Sequence, residues 1–157
     1  MIALLLRIQQ SVKLLEVFIL GKYIVHSTLR PIGSQVINKL GIHSFLSDEP
    51  VAAKGTDAAP NPVQYLLAAV GSCMGATARD IENREDSLTI KSFNVDVHGE
   101  TTTYADQSSK VTHIDIKIKS ETNLDPVDQQ TFLNEVVRQC TVHSSLEGSV
   151  PMDISFE

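Results

Sequence analysis

Basic residues are scarce in this chain. Thirteen lysines and arginines stand against 19 aspartates and glutamates, for a net charge of −6. Phosphate backbones are bound by clustered positive charge, so no nucleic acid partner is expected. Cysteine is scarcer still. Cys73 and Cys140 are the only two, too few for the disulfide framework of a small secreted domain. They either pair across the fold or serve separately. A closed zinc site needs about four ligands. Cys140-Thr-Val-His143 brings one Cys near one His, while His26, His43, His98 and His113 stand singly. No metal and no bound cofactor are therefore expected. No uncharged apolar run reaches the roughly 18 residues of a spanning helix, so no membrane span is expected. A Gly-rich phosphate loop is also missing. Gly71-Ser-Cys-Met-Gly75 lies inside a helical pattern and not at a strand-to-helix turn, which excludes a nucleophile elbow. Tryptophan is absent and aromatics make up only 5% of the residues.

What remains is an ordinary globular composition, 42% hydrophobic and 20% charged, which argues against disorder. A length of 157 residues favours one domain, large enough to bury over half of its unfolded surface without a staple. Met1–Arg7 lacks a basic segment before its apolar run, and no small-x-small cleavage site follows. It does not read as a signal peptide, and a cytoplasmic location is expected. Apolar residues at 4, 5, 8, 12, 15 and 19 recur at helical spacing. They predict an amphipathic helix through about Leu20, packed on the core, on a partner chain or on a membrane surface. Residues 1–20 are read as a helical extension and 21–157 as a single domain.

After Gly21 the pattern turns β-like. Lys22–Leu29, Gln35–Leu40 and Ile42–Leu46 predict a small meander, broken at Arg30-Pro-Ile-Gly33. Ser47–Asn61 is rich in Asp, Pro, Gly and Ala and reads as a loop. Asn61 is then an N-cap candidate with Pro62 at the first helical position. Val63, Leu66, Leu67, Val70, Met74 and Ile81 form one helical stripe, with Thr77 its polar member. A helix without charge from Val63 to Ala78 should be buried on most sides. Its small residues Ala68, Gly71, Ser72, Gly75 and Ala76 would let another backbone come close. Gly71 and Gly75 each cost about 1 kcal/mol of helix propensity.

The period then changes to two. Phe93, Val95 and Val97 alternate with polar residues, as do Ile114, Ile116 and Ile118, so two half-buried strands are predicted. Gly99–Ser109 is expected to join them as a long loop. Asp125-Pro126 opens a helix to about Arg138, with Cys140 at its end or just beyond. Val150, Met152, Ile154 and Phe156 alternate as a closing strand. The fold class is α+β, with mainly antiparallel pairing.

The candidate reactive groups are the cysteines. One reading makes each a small buried hydrophobe, which cysteine commonly is. The other makes them a redox pair, in which a thiolate attacks a peroxide and a second thiol condenses the sulfenic acid to a disulfide. An ordinary thiol is only a few per cent ionised at neutral pH, and burial lowers that fraction. Cys73 therefore needs donors or a cation. Thr77, at i+4, either donates to the sulfur or, more ordinarily, bonds back to a carbonyl of its own helix. Arg79 lies six positions on and projects elsewhere. A cation would have to come from Arg30, Arg84 or Arg138.

The segment Ala59-Pro-Asn-Pro-Val-Gln-Tyr-Leu-Leu-Ala-Ala-Val-Gly-Ser-Cys73 resembles the signature of the OsmC/Ohr family of osmotically inducible and organic hydroperoxide resistance proteins. Gln139-Cys140-Thr-Val-His-Ser-Ser-Leu is similar to its second signature, and the resemblance spans about Tyr23 to Phe156. It implies antiparallel sheets wrapped around a long central cysteine-bearing helix in an intertwined homodimer, with sites at the subunit interface. It implies that Cys73 is the peroxidatic cysteine and Cys140 the resolving one. The implied substrates are organic hydroperoxides, reduced with an external dithiol, possible lipoyl dithiols included. Two positions depart from the pattern. Gln64 stands where the family commonly has the Glu that holds an activating Arg, and Thr141 stands where it has Pro. Arg30 occupies the turn from which that Arg comes. The pattern is closer to the broad OsmC-like branch. The alternative it leaves is a non-enzymatic dimer binding a small apolar or thiol ligand in the interface pocket.

Overall fold

The computed structural model describes residues 21–157, so the helix expected over residues 1–20 lies outside the described residues. In chain order come strands β1 (His26–Leu29), β2 (Val36–Leu40) and β3 (His43–Ser47), and a 3-10 turn at Val51–Ala53. Helix α1 (Pro62–Glu82) follows, then strands β4 (Ile90–Thr103) and β5 (Ser109–Thr122). Helices α2 (Pro126–Gln139) and α3 (Thr141–Leu146) lead to strand β6 (Met152–Phe156). The strands form two three-stranded sheets, β1-β2-β3 and β4-β5-β6. This is the expected α+β class.

Local chemistry sets the ends of α1. The Asn61 side chain accepts from the Gln64 N–H at 2.9 Å, and the Gln64 side chain accepts from the Asn61 N–H at 2.8 Å. This reciprocal box satisfies two donors that a helix start otherwise leaves open. Pro62 costs nothing at the first position, where no N–H is needed. Asp125 caps α2 in the same spirit, accepting from Val127 and Asp128 N–H groups.

The core lies between α1, the second sheet and α2. Val70, Met74, Ala78 and Ile81 come from one stripe of α1 and Ile114, Ile116 and Ile118 from alternate positions of β5. Phe132, Leu133 and Val136 of α2 close it, together with Cys140. Removing such a side chain, as in Met74→Ala, costs about 2–5 kcal/mol. Gly99 fixes the helix-to-sheet distance, because a Cβ there would stand 2.8 Å from Leu67 Cδ2.

Four sequence expectations change. The polar stretch after Gly99 is not a long loop. β4 and β5 run on, pairing Thr101 with Val111 and Thr103 with Ser109, past an irregularity between Glu100 and Thr101. Only Tyr104–Ser108 turns the chain, held by Tyr104 N–H to Ser108 O at 2.8 Å and by Asp106, which accepts from Ser108. Alternation of burial marks only strands that cover a core; threonine-rich strands that project past it keep the backbone pairing without the pattern. The closing strand adds the second difference, since β6 pairs parallel to β5, Ile116 opposite Ile154. Third, β1 begins only at His26, and Tyr23 and Ile24 before it are exposed. Fourth, α1 is not buried on most sides of this chain. Ala68, Ala69, Ser72 and Ala76 are exposed, and a Cβ at Gly75 would meet nothing within 4 Å.

Candidate active site

Cys73 sits at the start of the fourth turn of α1, half-buried, and packs against the core. Cys140 ends α2 in an extended conformation, φ −69° and ψ 107°, and the chain then turns into α3. That break carries the Thr141 and Val142 N–H groups to the Cys73 sulfur. The first N–H groups of a helix have no partner within it, which leaves them free for an outside acceptor. Both thiols are free, and Cys140 is fully buried.

The two sulfurs are tuned apart. Burial works against the Cys73 thiolate. The Val142 N–H, the Cys140 thiol, the Thr141 N–H and the Thr77 hydroxyl all donate toward it, and together they hold its pKa below the ordinary 9.0. Cys140 goes the other way. Burial, opposed by the His143 N–H, and the neighbouring Cys73 sulfur push it up to about 11. Donors that favour a charged sulfur lower a pKa, while desolvation and a like charge raise it. These environments favour ionisation of Cys73 before Cys140, with the Cys140 thiol among the groups that favour the Cys73 thiolate.

The Thr77 hydroxyl is the smallest of the influences that lower the Cys73 pKa. The cations are committed elsewhere. Arg79 pairs with Glu82. Arg84 meets Asp80 at 3.0 Å and Gln139 at 2.9 Å. Arg138 pairs with Glu135, whose pKa that contact and Gln139 lower to about 2. Arg30 donates from its backbone to Gln35 O at 2.8 Å and from its guanidinium to the Gln35 side chain. Gln35 in turn donates to Thr56 at 2.7 Å, and Thr56 donates to the buried Asp48 at 2.6 Å. Four donors, the Thr56 hydroxyl foremost and then the backbone N–H groups of Ala58, Glu49 and Thr56, hold the Asp48 carboxyl well below the usual carboxylate range. Gln64 is engaged in the α1 cap. The structure therefore brings together Cys73, Cys140 and Thr77. Neither Arg30 nor Gln64 is among the groups that face Cys73.

A groove of about 540 Å³ runs along α1, between Gln64, Leu67, Ala68 and Ser72 on the helix and Phe93 and Val95 on β4. Cys73 is not among its lining residues, so the groove opens on a different face of the helix from the sulfur. The backbone donors of Thr141 and Val142 were not legible in the sequence. The signal for them was faint: a helix ending at Cys140 and a helix-compatible stretch, Thr141–Leu146, directly after it.

A family model described as OsmC-like protein matches residues 55–155. The chain belongs to this OsmC-like family. Among solved structures it is similar to an OsmC-like protein from Mycoplasma pneumoniae, with TM-score 0.77 and 19% identity over 88% of this chain and 98% of that one. It is also similar to an organic hydroperoxide resistance protein OsmC from Legionella pneumophila, with TM-score 0.70 and 14% identity over 89% and 99%. The organic hydroperoxide resistance protein OhrB of Bacillus subtilis matches at TM-score 0.65 and 16% identity, over 88% and 100%. Identities this low establish the shared fold. No curated protein matches the chain in sequence. Both cysteines fall within the stretch matched by the OsmC-like family. Among the described residues no helix is long and apolar enough to cross a membrane.

Proposed function

We propose that this OsmC-like protein is a thiol-dependent peroxidase that reduces organic hydroperoxides. The observation that carries the reading is the opposed tuning of two adjacent free thiols, Cys73 lowered and Cys140 raised. Family membership supports it, since some structural relatives are named organic hydroperoxide resistance proteins.

The Cys73 thiolate attacks the terminal oxygen of the hydroperoxide. The S–O bond forms as the O–O bond breaks, giving Cys73 sulfenic acid and an alkoxide, which takes a proton from solvent and leaves as the alcohol. The Cys140 thiol then attacks the oxidised sulfur. A disulfide forms, and the hydroxyl leaves with the thiol proton as water. An external dithiol, possible lipoyl types included, exchanges with that disulfide and restores both thiols while itself becoming oxidised. The working unit in this reading is a cytoplasmic homodimer of one OsmC-like domain, residues 21–157, preceded by the 1–20 extension. The open small-residue face of α1 and exposed apolar side chains such as Leu29 and Ile42 support it as surfaces for a second copy. In that dimer Arg30 would supply a cation, with Gln64 accepting from it without a charge.

A second reading is favoured by one observation. The groups lowering the Cys73 pKa are neutral donors, with no cation among them. On that reading the dimer binds a small apolar or thiol ligand and its cysteines oxidise slowly. Stopped-flow loss of free thiol with cumene hydroperoxide, followed by intact mass, separates the two. Fast loss of two hydrogens per chain, with hydrogen peroxide much slower, is expected for the peroxidase. Loss at the rate of an ordinary exposed thiol with both peroxides would sink it.

A further inference from the structure

The outer face of the second sheet carries a cluster unrelated to the cysteines. Side chains alternate along β5, so Ile114 and Ile116 enter the core while His113, Asp115 and Lys117 face outward. Asp153 of β6 stands beside Asp115 in the parallel register, and His98 of β4 stands opposite it in the antiparallel one. One row across three strands thus reads His98, Asp115, Asp153, with His113 on the same face, two residues before Asp115. The His113 imidazole lies 3.3 Å from Asp115 Oδ1 and 3.3 Å from Asp153 Oδ2. One ligating atom from each of the three residues lies within 4.8 Å of the other two. A groove of about 560 Å³ opens over the row, lined by His98, Asp115 and Asp153 among others.

Like charges side by side on neighbouring strands repel. The nearest lysine does not relieve this pair, because Lys117 is engaged with Glu157 at 3.1 Å. Asp96 and Glu100, on the same face of β4, add further negative charge. His113 pairs with both carboxylates, and a metal ion held by all three groups would offset their charge further; the donor set says which kind. Imidazole with carboxylates suits borderline divalent ions such as zinc, whereas magnesium and calcium prefer oxygen alone.

We propose that His113, Asp115 and Asp153 form a surface site for a divalent transition-metal ion of the zinc type, bordered by His98 of the adjoining strand. The sequence could not show it. His113 and Asp115 are close in the chain, but Asp153 joins them only through the parallel pairing of β6.

Thiols are zinc ligands in general, so the test uses the full chain carrying Cys73→Ser and Cys140→Ser. Titration with zinc chloride by calorimetry should give one ion per chain and shift the imidazole proton signals of His113 and His98. His113→Ala and Asp153→Asn should each weaken binding by at least about tenfold. Both positions are on the surface, so melting without metal reports that the variants fold, and zinc should raise the melting temperature only of the parent. The proposal is overturned if the parent binds no zinc, if either variant binds as well as the parent, or if magnesium competes at equal concentration.

Discussion

Helix α1 and the α2–α3 junction each deliver one cysteine to the same place, and they treat it in opposite ways. On α1, Cys73 is half-buried and meets four donors, two of them backbone N–H groups from the junction. At the junction, Cys140 is fully buried among core side chains and beside the sulfur it faces. The helix supplies an accessible sulfur and the junction supplies the groups that charge it. Neither region makes a reactive thiol alone. The difference arises because α1 is regular, so its N–H groups are spent within the helix, whereas the chain break at Cys140 frees the N–H groups of α3's first turn.

The strongest way to break this comparison is to remove one sulfur at a time. Cys73→Ser should abolish hydroperoxide-driven loss of the remaining thiol, since a buried Cys140 with a pKa near 11 is almost wholly protonated at neutral pH. Stopped-flow thiol counting checks it, and a Cys140 that still reacts at the parent rate would show the two sites to be equivalent. Cys140→Ser should leave the first step running but end the cycle there. Intact mass should then show one added oxygen on Cys73, trapped by a sulfenic-acid reagent, and dithiol-supported turnover should be lost. A disulfide-linked product within the chain cannot form, so any loss of two hydrogens in that variant would contradict the assignment.

Much of this asymmetry was hidden in the sequence, while the frame around it was not. The Asn61 cap with Pro62, the buried stripe of α1 and the alternating isoleucines of β5 are local patterns, and the structure has each where its pattern placed it. The two cysteines could be singled out for the same reason, with their roles implied by the resemblance. What failed was anything set by a distant partner. The β4–β5 strands extend through polar residues because each provides the other's hydrogen bonds, which composition does not reveal. The donors to Cys73 are backbone groups, which carry no residue signature. Thr77 read more naturally as bonding its own helix, and its hydroxyl is instead among the groups that favour the Cys73 thiolate.

A smaller effect should appear in the pH dependence of stability. Below pH 9 both folded and unfolded chains hold the Cys140 proton. Between its ordinary 9.0 and its folded value of about 11, the unfolded chain releases that proton while the folded chain keeps it. The unfolded state then binds fewer protons, so stability falls as pH rises through this window. Cys73 shifts the other way, so its lowered pKa adds stability above that folded pKa as pH rises, and the addition is complete above 9.0. Denaturant unfolding at pH 8 and at about pH 10 (the middle of the Cys140 window) should therefore show a smaller alkaline loss in Cys140→Ser than in the parent. An equal loss in both proteins would mean that burial does not hold the Cys140 proton.

The finest test concerns a single hydroxyl. Thr77→Val keeps the shape of the side chain and removes one of the donors to Cys73. A hydrogen bond to a charged group is worth about 1.5 kcal/mol at the low end of its range, or about tenfold in the acid constant of the thiol. A more basic sulfur is also a better nucleophile, and a Brønsted slope of about 0.4–0.5 returns roughly half of that loss on a logarithmic scale. At a pH below the Cys73 pKa the reaction with cumene hydroperoxide should therefore slow by only about threefold. At a pH above the Cys73 pKa, where the thiolate is formed in both proteins, the variant should react as fast as the parent or slightly faster. A structural role for Thr77 would slow the reaction equally at both pH values, so the crossing of the two profiles, rather than the size of the loss, decides whether the hydroxyl acts on the charge of Cys73.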